Sequence, residues 1–263
     1  MSMDVIPIWA LLAGTIILVV MAIEMGHNVG HVVRRRSDNE KESSVSAITG
    51  SILGLVAFML AFTFGIVTDR YDSRKALVRE EANAIGTAYL RSDFMSEPDR
   101  GKTKKLLSEY LDSRIAAAQS RDLNQIQRVL TDSNRIQKQL WDMAVINAFK
   151  DMNSDVAALY IDALNKVIDI HALRVAVALQ GRIPAGIWCI LYILVILGMF
   201  GVGYQSAIAG SAKRSLAAPI MAFAFSLVIV LIASLDRPQS GFITVSQQSL
   251  IDLRASMENG SNP

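Results

Sequence analysis

Four uncharged or nearly uncharged runs, each long enough to cross ~30 Å of hydrocarbon as a helix, constrain this chain more than any other feature. They cover about Pro7 to Met25, Ala47 to Val67, Ile183 to Tyr204 and Leu216 to Leu235. Charge is concentrated between the second and third. Residues 69–182 hold 18 Lys/Arg and 16 Asp/Glu, leaving 8 and 8 for the rest of the 263-residue chain. Two solvents are implied, lipid for the runs and water for the insert, which argues against a soluble globular enzyme, a secreted disulfide scaffold and a disordered chain. The net charge of +2 gives no electrostatic reason to expect nucleic acid as a partner. The lone cysteine, Cys189, lies within an apolar run, so neither an intrachain disulfide nor a cysteine-based metal cluster is expected. The segment before the first run carries Asp4 and no Lys or Arg, and no small-residue cleavage site follows the run, so a retained span is expected rather than a signal peptide.

The insert is rich in Ala, Leu, Arg, Lys, Gln and Glu, with apolar residues three and four apart, which is helical patterning. Breaks fall at Ser92 to Pro98, where Ser96 or Glu97 ahead of Pro98 suits a helix start, near Asp122, and at Ser154 with Asp155. Helices over about 98–120, 122–151 and 154–180 are predicted, the last with Val156, Leu159, Tyr160, Leu164, Val167 and Ile168 as one stripe. Val67 to Arg91 has no proline and only Gly86, so the second span is predicted to leave the bilayer as a single helix ending about Arg91, roughly 70 Å long at ~1.5 Å per residue. A polar connector is expected at Ser37 to Ser46. After Asp236-Arg237-Pro238, alternation at Phe242, Thr244 and Ser246 suggests an extended piece; Leu250, Leu253 and Met257 then mark an amphipathic helix docking on the insert or a neighbouring subunit. A disordered tail is expected at Glu258 to Pro263.

The fold class is therefore all-α: a four-span helical membrane protein with an extramembrane helical bundle between spans two and three. The domains are 1–68 (spans one and two), 69–182 (the bundle), 183–235 (spans three and four) and 236–263 (docking segment and tail). The two short loops carry Arg34, Arg35, Arg36 and Lys41, and Lys213 and Arg214. Counting positive charge in short loops makes these cytoplasmic and puts the insert and both termini outside, although Arg70, Arg74, Lys75, Arg79, Arg174 and Arg182 crowd the insert side.

Glu24, His27 and His31 share one face at the end of the first span, and a carboxylate with two imidazoles can hold a divalent metal. Three ligands on one helix rarely suffice, and Glu24 near the interface can instead be solvated or pair with a loop arginine, so no metal is expected and Glu24 is read as an intramembrane polar residue. Along the second span the i+4 row runs Gly50, Gly54, Phe58, Phe62, Ile66, Arg70, Arg74: small residues for close helix approach, then bulk, then positive charge. If copies of this helix surround an axis, Phe58, Phe62 and Ile66 form an apolar constriction and Arg70 and Arg74 form rings attracting anions. Against this, such a row drifts about 40° per step, and a Phe stripe also suits a bundle core or lipid contact. Farther on, Ala82, Ala84, Gly86 and Ala88 suit tight packing, with Glu81 and Asn83 as inter-helix polar contacts or members of a solvated charged face. Arg237, next to Asp236, is expected to pair with an acid of the long second helix, and His171 to be a surface or packing residue. No Ser/His/Asp or Cys/His nucleophile, phosphate-cradling glycine loop or paired-cysteine spacing is present, so neither an enzyme nor a cofactor is expected.

Several segments resemble one bacterial family, the bestrophin-like membrane proteins. These are Glu24-Met-Gly-His-Asn-Val-Gly30, LAFTFGIVTDRYDSRKALVREEANAIGTAYLR at 60–91, RIP at 182–184 and LDRPQSGFITVSQQSLIDLRAS at 235–256. Gly26, Gly30, Arg70, Tyr71, Glu81, Asn83, Gly86, Tyr89, Arg91, Asp236, Arg237, Pro238, Gln247 and Gln248 match the family pattern. The family name implies kinship with bestrophins, pentameric anion channels whose second span lines a narrow apolar neck; Phe58, Phe62 and Ile66 look like neck positions. Bestrophins keep their helical insert in the cytoplasm, opposite to the charge count above.

The function this implies is an oligomeric channel of the bacterial inner membrane passing small anions such as chloride, its partners being the bilayer and identical subunits. The competing class is a non-conducting scaffold or sensor whose insert binds a protein or envelope component. A secondary transporter would need broken spans or inverted repeats, and neither is evident.

Overall fold

A computed structural model describes residues 7–36, 42–120, 122–150, 154–210, 217–237 and 243–260. Lys41, Lys213, Arg214, Pro238 and Phe242, with the first part of the expected connector and residues 261–263 of the expected tail, lie outside them. The described residues form eight α-helices and no strand: α1 Ile8–Arg36, α2 Glu42–Arg91, α3 Asp99–Gln119, α4 Leu123–Ala148, α5 Asp155–Gln180, α6 Ala185–Ile208, α7 Ala217–Asp236 and α8 Gln248–Gly260, with a 3-10 turn at Ser92–Phe94. Four of them, α1, α2, α6 and α7, are long and apolar enough to cross a bilayer.

Local chemistry explains most of the ends. The Asp122 carboxylate accepts from the Asn124 amide at 2.9 Å, and the Ser154 hydroxyl accepts from the Ala157 amide at 3.2 Å, satisfying first-turn donors of α4 and α5. Before α3, Pro98 is itself the flanking residue rather than the first helical one. The Ser96 carbonyl takes the Asp99 and Arg100 amides, while Glu97 accepts from Arg100 Nε at 2.8 Å. Three expected boundaries shift, one of them at the C-terminal end, where residues 258–260 belong to α8 rather than to the expected tail. No proline interrupts 26–36, so α1 runs well past Met25, and α2 already begins at Glu42, making Ser43 to Ser46 helical rather than connector. The stripe of α5 is narrower than expected: Tyr160, Ala163, Leu164 and Val167 are buried, whereas Val156 and Leu159 are exposed, Val156 at the helix start and Leu159 about 100° off the stripe.

The chain divides into two compact units, Met1–Arg70 with Arg182–Ile243 and Tyr71–Gly181 with Thr244–Pro263, and α2 contributes to both. In the membrane unit α1 packs along α6 and against α7. A methyl group at Gly26 would collide with the Phe200 carbonyl oxygen, one at Gly203 with the Ile23 carbonyl oxygen, and one at Gly30 would lie 2.8 Å from the Tyr204 carbonyl oxygen. The two backbones are in contact there, which only glycine allows. The insert unit has an apolar core built from the end of α2 and from α3, α4, α5 and α8, including Ile85, Leu107, Leu111, Leu140, Leu164 and Leu250. Leu250 and Met257 are buried in that core, so α8 docks on the insert of its own chain.

Candidate functional site

The membrane part of α2 has two faces. Thr49, Val56, Leu60, Thr63 and Val67 are buried, and Thr49, Leu53 and Val56 lie against Gly201 and Gly198 of α6. The outer face holds Gly54, Leu55, Phe58, Phe62, Gly65 and Asp69, all exposed. Phe58 and Phe62 are 65% and 57% exposed and stack with ring centroids 6.4 Å apart. Around Gly50, Gly54 and Gly65 there is open space where a side chain would be. Ile66 is half-buried.

The arginines of the i+4 row leave this face. At about 100° per residue, Arg70 and Arg74 lie about 120° and 160° around the helix from Phe58. Arg70 Nη1 is 3.6 Å from Asp236 Oδ1. Arg74 is buried and donates from Nη2 to the Gly181 carbonyl at 3.0 Å. The row read from the sequence is thus split into an exposed aromatic part and an inward basic part.

Asp236, at the end of α7, organises the membrane unit where α2 turns polar. Its carboxylate accepts the Ile183 amide at 3.0 and 3.3 Å, just ahead of α6, and its carbonyl accepts Arg182 Nη1 at 3.1 Å. On the long helix it is Arg70 that pairs with Asp236, and Arg237 beside it is buried. Proline at 184 cannot donate, so the carboxylate serves the last free amide before the helix, and one side chain ties together α2, the start of α6 and the end of α7.

In the insert unit, Glu81 is fully buried between two guanidinium groups: Arg114 Nε donates to Oε1 at 2.8 Å and Arg174 Nη1 donates to Oε2. Arg174 Nη2 also donates to the Gln247 side chain at 3.1 Å, which anchors the segment before α8. Close by, the Tyr110 hydroxyl meets His171 Nδ1 at 3.1 Å and accepts from Gln137 at 3.3 Å. Burial and the charge of Arg114 push the His171 imidazolium down to about 4, so this buried histidine is neutral at pH 7. Asn83 is exposed rather than part of this network; with Glu80, Ala84, Thr87, Ala163, Lys166 and Ile170 it lines an open cavity of about 220 Å³ between α2 and α5. Gly86 gives α8 room, its missing methyl lying 3.1 Å from Leu253 Cδ1.

His27 Nδ1 lies 2.9 Å from the Ser206 hydroxyl of α6, and its ring meets His31 edge-on at 4.4 Å; Glu24 is half-buried. Among the described residues no group of three or more His, Cys, Asp or Glu could hold a metal ion. Sequence reasoning missed Arg114, Arg174 and Gly203. The signals were there, in arginines next to apolar stripe positions and in the Gly203 to Ala207 spacing that mirrors Gly26 to Gly30.

A family model, the Bestrophin-like domain, matches residues 16–250, from the third turn of α1 to the first turn of α8. No curated protein and no solved structure matches the chain.

Proposed function

Because this chain belongs to the bestrophin-like family, we propose that it is an oligomeric ion channel in which copies of α2 surround the axis and the Phe58 and Phe62 rings form an apolar constriction. The observation that carries this reading is the outer face of α2. Its inner face is already buried, in part against α6, yet Phe58 and Phe62 project from a strip that also holds Gly54 and Gly65. Lipid contact needs no glycine, and each costs a helix roughly 1 kcal/mol relative to alanine, whereas a neighbouring helix uses the space that glycine leaves. A collar of phenyl rings narrow enough to dewet gates ions without any charge of its own.

The protein is placed in the bacterial inner membrane with the insert outside, since Arg34, Arg35 and Arg36 then lie in the cytoplasm. A reporter active only in the cytoplasm, fused after Pro263, stays silent in this orientation and becomes active in the reverse one.

The test of the channel is assembly state and ion flux from one purified preparation. The expected result is a ring of four or more subunits that conducts after reconstitution, with Phe62→Ala raising the leak. A monomer or dimer without flux would leave the scaffold reading, for which the open cavity lined by Glu80, Asn83, Ala84, Thr87, Ala163, Lys166 and Ile170 offers a surface on the insert.

A further inference from the structure

We infer that the channel passes cations rather than anions, because the first charged side chain to follow the phenyl rings on the exposed face of α2 is the carboxylate of Asp69. This rests on the pore reading and names the ion for the same constriction. Phe58, Phe62, Gly65 and Asp69 share one exposed strip; at 100° per residue the other three lie within about 40° of Phe58 around the helix. Three nearby arginines are engaged away from this strip. Arg70 is held 3.6 Å from Asp236, Arg182 donates to the Asp236 carbonyl, and Arg74, in the insert unit, is buried on the Gly181 carbonyl.

Position decides between the two signs. In a ring of copies, each Asp69 carboxylate meets the permeating ion directly, as do the acidic rings of cation channels. Arg70 points about 100° away from Asp69 around the helix, off the strip, and its charge is offset by Asp236 at 3.6 Å. At the other end of the strip, Ser51, Gly54 and Leu55 carry no charge, so nothing there opposes the sign set by Asp69.

The experiment measures reversal potential in bilayers holding the reconstituted full-length protein under a tenfold KCl gradient. Wild type is expected to reverse towards the potassium equilibrium potential. Asp69→Asn is expected to lower the potassium-to-chloride permeability ratio several-fold, Asp69→Lys to invert it, and Asp69→Glu to preserve it. Phe62→Ala is expected to change conductance with the ratio kept. Reversal at the chloride potential, or a ratio indifferent to Asp69→Asn and Asp69→Lys, overturns this inference while leaving the channel intact. Absence of current from every correctly assembled preparation overturns the channel and this inference together.

Discussion

The two units of the molecule solve the same packing problem in different solvents. In the insert, water drives apolar side chains together, so Leu107, Leu111, Leu140 and Leu164 fill a core and the buried Glu81, Arg114 and Arg174 specify how its helices meet. Between the spans that drive is absent, since lipid tails are as apolar as leucine, and the helices hold by backbone approach at Gly26, Gly30 and Gly203. Cohesion in lipid therefore depends on side chains that are missing, and cohesion in water on side chains that are present. Substitutions in one unit should have little effect on the other.

Gly203→Leu should have the largest effect. Its side chain would enter the Ile23 carbonyl, an obstacle harder than the side-chain overpacking that costs ~1–3 kcal/mol, so α1 should separate from α6. Hydrogen exchange is expected to rise in α1 and α6 and to stay slow in α3 to α5; equal loss in both units would break the comparison. Next is Glu81→Ala, which strands two buried guanidinium groups and should destabilise the insert by about 3–5 kcal/mol, with the opposite exchange pattern.

A pH series sharpens the contrast further. His171 is held at about 4 in the fold against 6.5 when unfolded, so the unfolded chain binds the extra proton between those values. Insert stability should be undiminished above about pH 6.5 and fall by up to about 3 kcal/mol as pH drops towards 4. Asp99 and Asp162 have carboxyls held below their ordinary 3.8, Asp99 by Lys150 and Asn147 and Asp162 by Arg91 and Lys166, and their contribution is lost only at still lower pH. His171→Phe should flatten the upper window; urea melts at pH 7 and 5 that shift equally in wild type and variant would contradict the assignment. The smallest effect is expected for Asp236→Asn. An amide oxygen can keep the Ile183 hydrogen bond but loses charge assistance towards Arg70, a loss of about 1–2 kcal/mol, seen as slightly faster exchange at the start of α6.

Features written locally were legible before the structure. Run lengths marked four spans, the absence of proline carried α2 to Arg91, and Asp122 and Ser154 announced their helices through their own side chains. What depended on distant partners was not. Within an apolar run, no contrast of polarity tells the face of α2 that meets α6 from the face that bears Phe58 and Phe62. Arg70 reads as a pore charge until Asp236, far along the chain, is seen beside it. Glu81 was singled out, but the two arginines that hold it come from α3 and α5, and helical spacing alone pairs neither with α2.

The most direct measurement is ion flux through Phe62→Cys in a Cys189→Ser background, which removes the one native cysteine, before and after a charged thiol reagent. A ring of α2 helices predicts that the reagent reaches position 62 from water and blocks the flux. Flux that continues unchanged while the introduced thiol stays unlabelled, or labelling of that thiol without any effect on flux, would mean that the phenyl rings face lipid and line no path.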